Sequence, residues 1–555
     1  MGQVKLRPRI MLRDTFVMKL LVFMLTLKVI TVSGQKTDNL RSGNISCKQR
    51  RCISVDDRKQ ATAYGQYNNA LLETGWGVLE IVAGRGAPAS NDDIMFASGM
   101  LEGMFTADQI YEHYQNMHAT FFGNKKSSEY EVKARKFMTQ QDAWMRRMIE
   151  KNPSDALWRH VGYVMAQFDG LVAGYNQTAS PDKALDVFAF QVLNGVGDLL
   201  DLRNALIPDE IPDWTKMSKT EAFRYIRQNG HCSALVKVLG AYENLFMSHS
   251  SWFVYAAMLR IYKHYDFNVA DPETSAKRIS FSSYPGFLES LDDFYLLGSQ
   301  MVMLQTTNNV FNKTLFSAVK PNSLLAWQRV RVANMMANSG KEWAAALSSY
   351  NSGTYNNQYM VVDLKKIQLG STILDDALWV VEQIPTLVKS GDQTAILRTG
   401  YWPSYNVPFY EEIYKLSGYP DFVAQHGSDF SYQLAPRAKI FRRDEGKVVD
   451  LTSMKRIMRY NDYEHDPYSE DLPCNTICCR GDLDAEAPAP DGCYDTKVAD
   501  FNMALNLTAD VINGPTLGTN LPPFQWTPKF NVSHVGLPPV YDFKFVRTKP
   551  SLEKP

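Results

Sequence analysis

Six of the seven cysteines of this 555-residue chain lie near its ends: Cys47 and Cys52 at one, Cys474, Cys478, Cys479 and Cys493 at the other. Cys232 stands alone between the two clusters. The six are disulfide candidates, and three bridges among them allow 15 pairings, which spacing alone does not choose between. A zinc site at the C-terminal cluster is disfavoured, because no C-x-x-C pair occurs there. The seventh cysteine constrains most. In an oxidising compartment a leftover cysteine is an intermolecular bridge or a functional thiol. The competing reading is a buried core residue, since free cysteine is among the most buried types.

The compartment is written at the N-terminus. Arg7, Arg9 and Arg13 precede an apolar run, Leu20 to Leu27, flanked by Lys19 and Lys28, and Val32-Ser33-Gly34 offers small residues before Gln35. That pattern predicts a signal peptide over 1–34, with a retained anchor as the alternative. No later stretch approaches about 18 uninterrupted apolar residues, so no integral membrane segment is expected in the mature chain. Sequons at Asn44, Asn176, Asn312, Asn506 and Asn531 are glycosylation candidates and fit passage through the secretory lumen. Lysosome lumen and extracellular space both satisfy these signals. With 59 basic against 59 acidic residues, no basic face for nucleic acid is expected.

The length permits three or four domain-sized units. Residues 1 to about 60 read as the signal and a polar, basic lead-in. A strand is expected over Gly75 to Ile81, and helices from Asp93 through Tyr111, over Asp155 to Tyr175 and over Ala184 to Leu206. Ile207 to Asn229, with Pro208, Pro212 and many charges, reads as a linker or exposed loop. Strands are expected over Ala234 to Leu239, Leu245 to Met247 and Trp252 to Tyr255, and a helix over Ser323 to Leu347. Short strands then dominate. Without βαβ alternation, this is an α+β chain with antiparallel sheet.

G-x-S-x-G, H-E-x-x-H, Walker A and G-x-G-x-x-G motifs are all missing, so serine-elbow, zinc-protease and nucleotide chemistries lack their marks. Gly230-His231-Cys232-Ser233 instead places the lone cysteine between a loose segment and a strand, where an N-terminal nucleophile hydrolase is cut. Cleavage before Cys232 would leave an α-amine, of unperturbed pKa about 8, on the residue that carries the thiol. Nucleophile and base then travel together.

Gly230 to Lys237 and Ser248-His249-Ser250-Ser251-Trp252 resemble the phospholipase B-like family. So do Asn351 to Met360, Gly400 to Asn406 and Ala435 to Arg443. The tail, Pro473 to Arg480 with Gly492-Cys493-Tyr494-Asp495, is similar to the phospholipase B-like 1 branch, which includes snake-venom phospholipase B. The similarity runs from about Tyr64 to the C-terminus.

That resemblance implies an N-terminal nucleophile hydrolase αββα sandwich, two antiparallel sheets between helical layers. It also implies a precursor, activated by acid, that is cut before Cys232 into a fragment 35–231, ending in a cleavable linker of about 207–231, and a fragment 232–555. The fragments stay associated. Cys232 is the implied nucleophile, and His249 orients the thiolate or the substrate and, if protonated, raises the thiolate fraction. Asn406 is the oxyanion candidate through its side-chain N–H, and Arg437 a fixed cation that holds the amine environment or a carboxylate. Trp252 is expected as a pocket wall, Thr306 and Thr307 as pocket closers, and Asn351 as a second oxyanion donor or a structural turn. The implied activity is cleavage of phospholipid or lysophospholipid acyl esters through a thioester, with no cofactor and no metal. The alternatives are an amidase on N-acyl or peptide substrates and a non-catalytic secreted glycoprotein. Arg480-Gly481-Asp482 also spells an integrin-type tripeptide.

Overall fold

A computed structural model describes residues 39–552, apart from 124–126, 229–230 and 519. The expected signal peptide, 1–34, lies outside the described residues. The chain begins with β1 (Leu40–Lys48), β2 (Arg51–Ser54), β3 (Ala63–Ala70), the single turn α1 (Leu71–Thr74) and β4 (Trp76–Ala83). The polar lead-in is therefore partly a hairpin: Cys47 faces Cys52 across β1 and β2 and is disulfide-bonded to it. Helices follow: α2 (Asn91–Phe105), α3 (Ala107–Phe122), α4 (Ser127–Lys151), α5 (Ala156–Thr178), α6 (Val187–Asn194), α7 (Val196–Leu206) and α8 (Lys219–Gln228). Ser90 and Asp155 start α2 and α5 by accepting the backbone N–H groups of Asp93 and Trp158.

The second half alternates between two sheets. It comprises β5 (His231–Val238), β6 (Leu245–Val254), β7 (Ile261–Phe267), β8 (Arg278–Ser283), β9 (Tyr295–Leu297), β10 (Met301–Thr307), α9 (Ala326–Met336), α10 (Gly340–Ser348) and β11 (Asn357–Asp363), followed by shorter elements. An 11-stranded sheet runs in the order Leu387–Asp392, Leu378–Ile384, β11, β10, β9, β8, β7, β4, β3, β1, β2. A 7-stranded sheet contains Tyr401–Ser404, β5, β6, Asp495–Asp500, Ala509–Asn513 and Val546–Thr548, with Asp491–Cys493 also on β6.

Strand alternation builds the layers. One face of the large sheet, including Leu79, Ile81, Tyr265 and Val361, packs on α2, α5 and α9. Its other face, including Tyr262, Val302 and Met360, meets Ala234, Val236 and Met247 of the small sheet. The outward residues of that sheet, Leu235, Phe246 and Val498, pack on helices Pro436–Asp444 and Leu451–Met458. The order is helices, sheet, sheet, helices.

Several expected boundaries move. The helix expected over 184–206 breaks at Gly195 into α6 and α7, and that over 323–347 into α9 and α10. The helix from Asp93 ends at Phe105, so Tyr111 belongs to α3. The two strand pieces at Leu245 and Trp252 are one strand, β6, buried along nearly its whole length. Not all pairs are antiparallel: β4 and β7 run parallel. The loose 207–229 segment contains α8, whose Ala222, Phe223 and Ile226 share one apolar face.

Among the described residues, no helix is long and apolar enough to cross a membrane.

Candidate active site

Cys232 is the second residue of β5, is buried, and is the cysteine outside the three disulfides. These join Cys47 to Cys52, Cys474 to Cys479 and Cys478 to Cys493. The last two pack beneath Trp252, so the C-terminal cysteine cluster buttresses the cleft rather than binding zinc.

The backbone of Cys232 is held at both ends. Its N–H donates to Asn406 Oδ1 (3.2 Å), and its carbonyl accepts from Arg437 Nη1 (2.6 Å). Arg437 Nη2 donates to the Tyr405 carbonyl (2.8 Å) and to Asn406 Oδ1 (2.7 Å). The guanidinium carbon lies 4.4 Å from the Trp252 ring centroid. Burial draws Arg437 down to about 9, which leaves it cationic at acidic and neutral pH.

Asn406 follows the strand Tyr401–Ser404, at a left-handed φ of 68° that asparagine tolerates better than most residues. Two donors on Oδ1 fix its orientation, and Nδ2 donates to the Thr307 carbonyl (2.6 Å). The amide N–H expected for an oxyanion is thus spent on Thr307, and the oxygen is the atom turned toward Cys232.

β5 and β6 pair antiparallel, with Cys232 opposite Ser251 and Ala234 opposite His249. All four side chains therefore share the inter-sheet face. The thiol opens on a cleft lined by Leu200, Ser251, Trp252, Asp292, Thr307 and Tyr355. Burial pushes the Cys232 thiol up to about 12; the Trp252 backbone N–H and Lys497 work against that rise.

His249 is buried two positions along from the residue facing Cys232. Its Nε2–H donates to the Gln305 carbonyl (2.8 Å), which leaves Nδ1 to accept from Lys497 Nζ (3.0 Å). Burial and that ammonium hold His249 well below the ordinary imidazole value. A protonated His249 favouring the thiolate is therefore not what the structure holds. Lys497 also reaches Ser251 Oγ (2.6 Å), Asp495 (2.8 Å) and Asp292 (2.7 Å). Arg260 completes the group through Asp292 and Asp495. Ligand atoms of His249, Asp292 and Asp495 lie within 4.8 Å of one another, but the Lys497 ammonium sits on all three in the place a cation would take.

Thr307 lines the thiol cleft, whereas Thr306 lies behind it, bonded to Ser404 Oγ (2.6 Å) and to the Asn406 N–H (3.3 Å). Asn351 is not at the site. Its side chain closes a turn through the Ile384 carbonyl (3.1 Å) and the Gly353 N–H (2.9 Å). The side chains of Arg480 and Asp482 are covered and paired with each other (2.7 Å), so the tripeptide is not displayed. Asn176, Asn506 and Asn531 are exposed, and Asn44 and Asn312 half-buried.

A second cleft flanks Trp252. Tyr405, Val407, Phe430, Asn475 and Arg437 line it, together with Phe223 and Ile226 of α8. α8 is tied down at its exposed edge by Arg224 to Asp484 (3.2 Å) and by Lys219 to Asp429 (2.7 Å).

Lys497, Asp292 and Ser251 were not among the expected site residues. One signal was present: Asp495 and Lys497 stand two apart on one strand with Ala499 next in that row, which puts two charges on a face that continues into the inter-sheet core.

Residues 63–548 match the profile of the phospholipase B family. Phospholipase B-like 1 of Bos taurus is 56% identical over 503 residues, covering 90% of each chain. Phospholipase B-like 1 of Homo sapiens is 55% identical over 499 residues, 89% of this chain and 88% of that one. Phospholipase B of Crotalus adamanteus is 53% identical over 498 residues, 89% of each. Among solved structures, a conjugated bile acid hydrolase mutant from Clostridium perfringens aligns at TM-score 0.26 and 10% identity, over 51% of this chain and 89% of that one, a likeness too weak to carry a fold. With its matching residues spanning both sheets and Cys232 at their junction, the chain belongs to the phospholipase B family.

Proposed function

We propose that this chain is a secreted or lysosomal acyl hydrolase of the N-terminal nucleophile type. It cuts itself before Cys232 and then cleaves phospholipid or lysophospholipid acyl esters through a thioester. The observation that carries the reading is the treatment of Cys232. It is an unbridged cysteine at the start of a strand, with its thiol in the inter-sheet cleft and its backbone N–H and carbonyl gripped by Asn406 and Arg437. The helix–sheet–sheet–helix layering fits that fold type, and the relatives' printed name supplies the substrate class.

In the self-cut, the Cys232 sulfur adds to the His231 carbonyl carbon and the bond to the Cys232 nitrogen breaks. The products are a thioester and a free amine. Water then hydrolyses the thioester and leaves thiol and amine on one residue. Asn406 Oδ1, which now accepts the Cys232 N–H, accepts an amine proton afterwards. The nearby Arg437 cation disfavours the charged amine and keeps it a base. In turnover the amine takes the thiol proton, the sulfur attacks the ester carbonyl, and the leaving alkoxide recovers that proton. Water, deprotonated by the same amine, releases the fatty acid. Asn406 is thereby assigned to the amine, and His249 with Lys497 to holding Ser251 and the cleft floor.

The test is acyl trapping. Mature protein is mixed with an acyl ester and quenched, and the fragment beginning at Cys232 is weighed. An added acyl mass on wild type, absent from C232A, is expected. Turnover of N-acyl amides without esters would move the substrate to amides. No turnover of either class would favour the non-catalytic glycoprotein.

A further inference from the structure

Val196 and Leu200 of α7 form one wall of the thiol cleft. Leu200 and Phe253 line both it and a neighbouring cleft that includes Arg203, Asn204 and Glu210. Arg203 follows Leu200 by three residues on α7, so it shares that helix face and lies about one turn, roughly 5 Å, further along.

In the uncut chain Arg203 Nη2 lies 2.6 Å from Glu210 Oε2, and its guanidinium carbon lies 5.3 Å from the Tyr130 ring centroid. Both charged side chains are about one-third exposed, at 34% and 32%, so the pair sits at the cleft wall rather than in the core. Glu210 belongs to the linker of about 207–231, whereas Arg203 and Tyr130 precede it. Lys313 Nζ also holds the linker, through the Ile211 carbonyl (2.9 Å). Removal of the linker by a second cut, between Arg203 and Glu210, would take the carboxylate away and leave the guanidinium, backed by the Tyr130 ring, at the wall of the cleft. Asp201, in the adjoining cleft, is pushed up to about 7 by burial and is neutral at acidic pH, so it does not replace Glu210 as an anion there.

A guanidinium fork matches carboxylate and phosphate alike. We propose that Arg203 binds the phosphate of an acylglycerophosphate substrate in the mature protein, in the position that Glu210 fills before the cut. Glu210 is then a carboxylate stand-in for the head group. The assignment rests on the proposed processing at Cys232 and on removal of the linker by that second cut.

Mature wild type and R203Q are compared on a 1-acyl-glycerophosphocholine and on a 1-monoacylglycerol of the same chain length. The ratio of kcat/KM for the two is expected to fall about 10- to 100-fold in R203Q, as for loss of a charged hydrogen bond, and to recover in part in R203K. A ratio within twofold of wild type overturns the assignment. Should R203Q fail to fold, calorimetry on mature wild type decides: glycerol 3-phosphate binds and glycerol does not. Equal or absent binding of the two overturns the proposal. Inorganic phosphate binding as tightly as glycerol 3-phosphate would make the site a free-phosphate site instead. If the monoacylglycerol is cleaved and the ratio ignores Arg203, only the head-group assignment falls. If neither ester is cleaved, the hydrolase reading falls, and the calorimetry still judges Arg203. A mature protein that is cut at Cys232 but keeps Glu210 overturns the Arg203 assignment and leaves the hydrolase reading standing.

Discussion

On the proposed mechanism, the chemistry at Cys232 is switched by one peptide bond. In the uncut chain the thiol is buried and pushed up to about 12, so at pH 7 the thiolate is a vanishing fraction. Iodoacetamide should therefore leave uncut protein unmodified at pH 7 over an hour and alkylate Cys232 in mature protein within minutes, read as a mass shift. Equal reactivity would mean that the cut does not activate the thiol. The lone cysteine and its position before a strand were legible in the sequence, and so was the neighbourhood of Asn406, Arg437 and Trp252. Their roles were only partly so. Residue type promised an amide N–H from Asn406, but the local hydrogen bonds to Cys232, Arg437 and Thr307 turn its oxygen to the site. Asn351 looked comparable in sequence and is spent on a turn. Lys497 and Asp292 converge on His249 from distant strands, which no local pattern reveals.

Among elements, the tightest crossing is α2 on α5. Gly99 and Gly103 of α2 lie against the α5 backbone at Gln167 and Leu171, and Gly170 and Gly174 of α5 against the α2 backbone at Phe96 and Met100. A Cβ on Gly170 would lie 2.0 Å from the Phe96 carbonyl oxygen, and one on Gly99 1.9 Å from that of Gln167. Because backbone cannot yield as a side chain can, G170A should cost about 3 kcal/mol or more, measured by denaturant unfolding. A cost below about 1 kcal/mol would show that the helices can separate. The paired four-residue glycine spacing was visible in the sequence, but helical periodicity alone does not say which glycines face each other. Helix breaks were the weakest expectation. Gly195 and the segment after Met336 interrupt apolar patterns that run on smoothly. α8 was hidden by its charges, since Arg224 and Lys219 read as loop composition until their partners on other elements are known. Glu382, on the strand Leu378–Ile384, adds a pH signature. Burial raises it to about 7, so it favours the folded state below its unfolded value near 4.3, and that contribution is lost as pH rises toward 7. E382Q should therefore gain melting temperature relative to wild type between pH 5 and pH 8. A difference that does not change with pH would show that Glu382 does not titrate in this range.

For the whole molecule, what matters is how the two sides of Cys232 are joined. β1 to β4 come from before it and β7 to β11 from after it, and all of them share the large sheet through the parallel β4–β7 pair. Each disulfide lies within one side. The cut protein should therefore elute as one species by gel filtration, even with reductant, and separate into two bands in denaturing gels without reductant. Fragments that stay joined without reductant would require a bridge through Cys232 or a different pairing. The α+β class was readable from strand alternation and the lack of βαβ units, and the layering only from the resemblance. The sharing of one sheet by both fragments was not, because strand neighbours far apart in sequence leave no local trace.

The measurement that decides most is the N-terminus of every fragment from acidified wild type and C232A, by mass spectrometry. A fragment beginning at Cys232 in wild type and missing from C232A is expected. An intact wild-type chain, or the same cut in both proteins, would contradict the assignment of Cys232 as a self-released nucleophile.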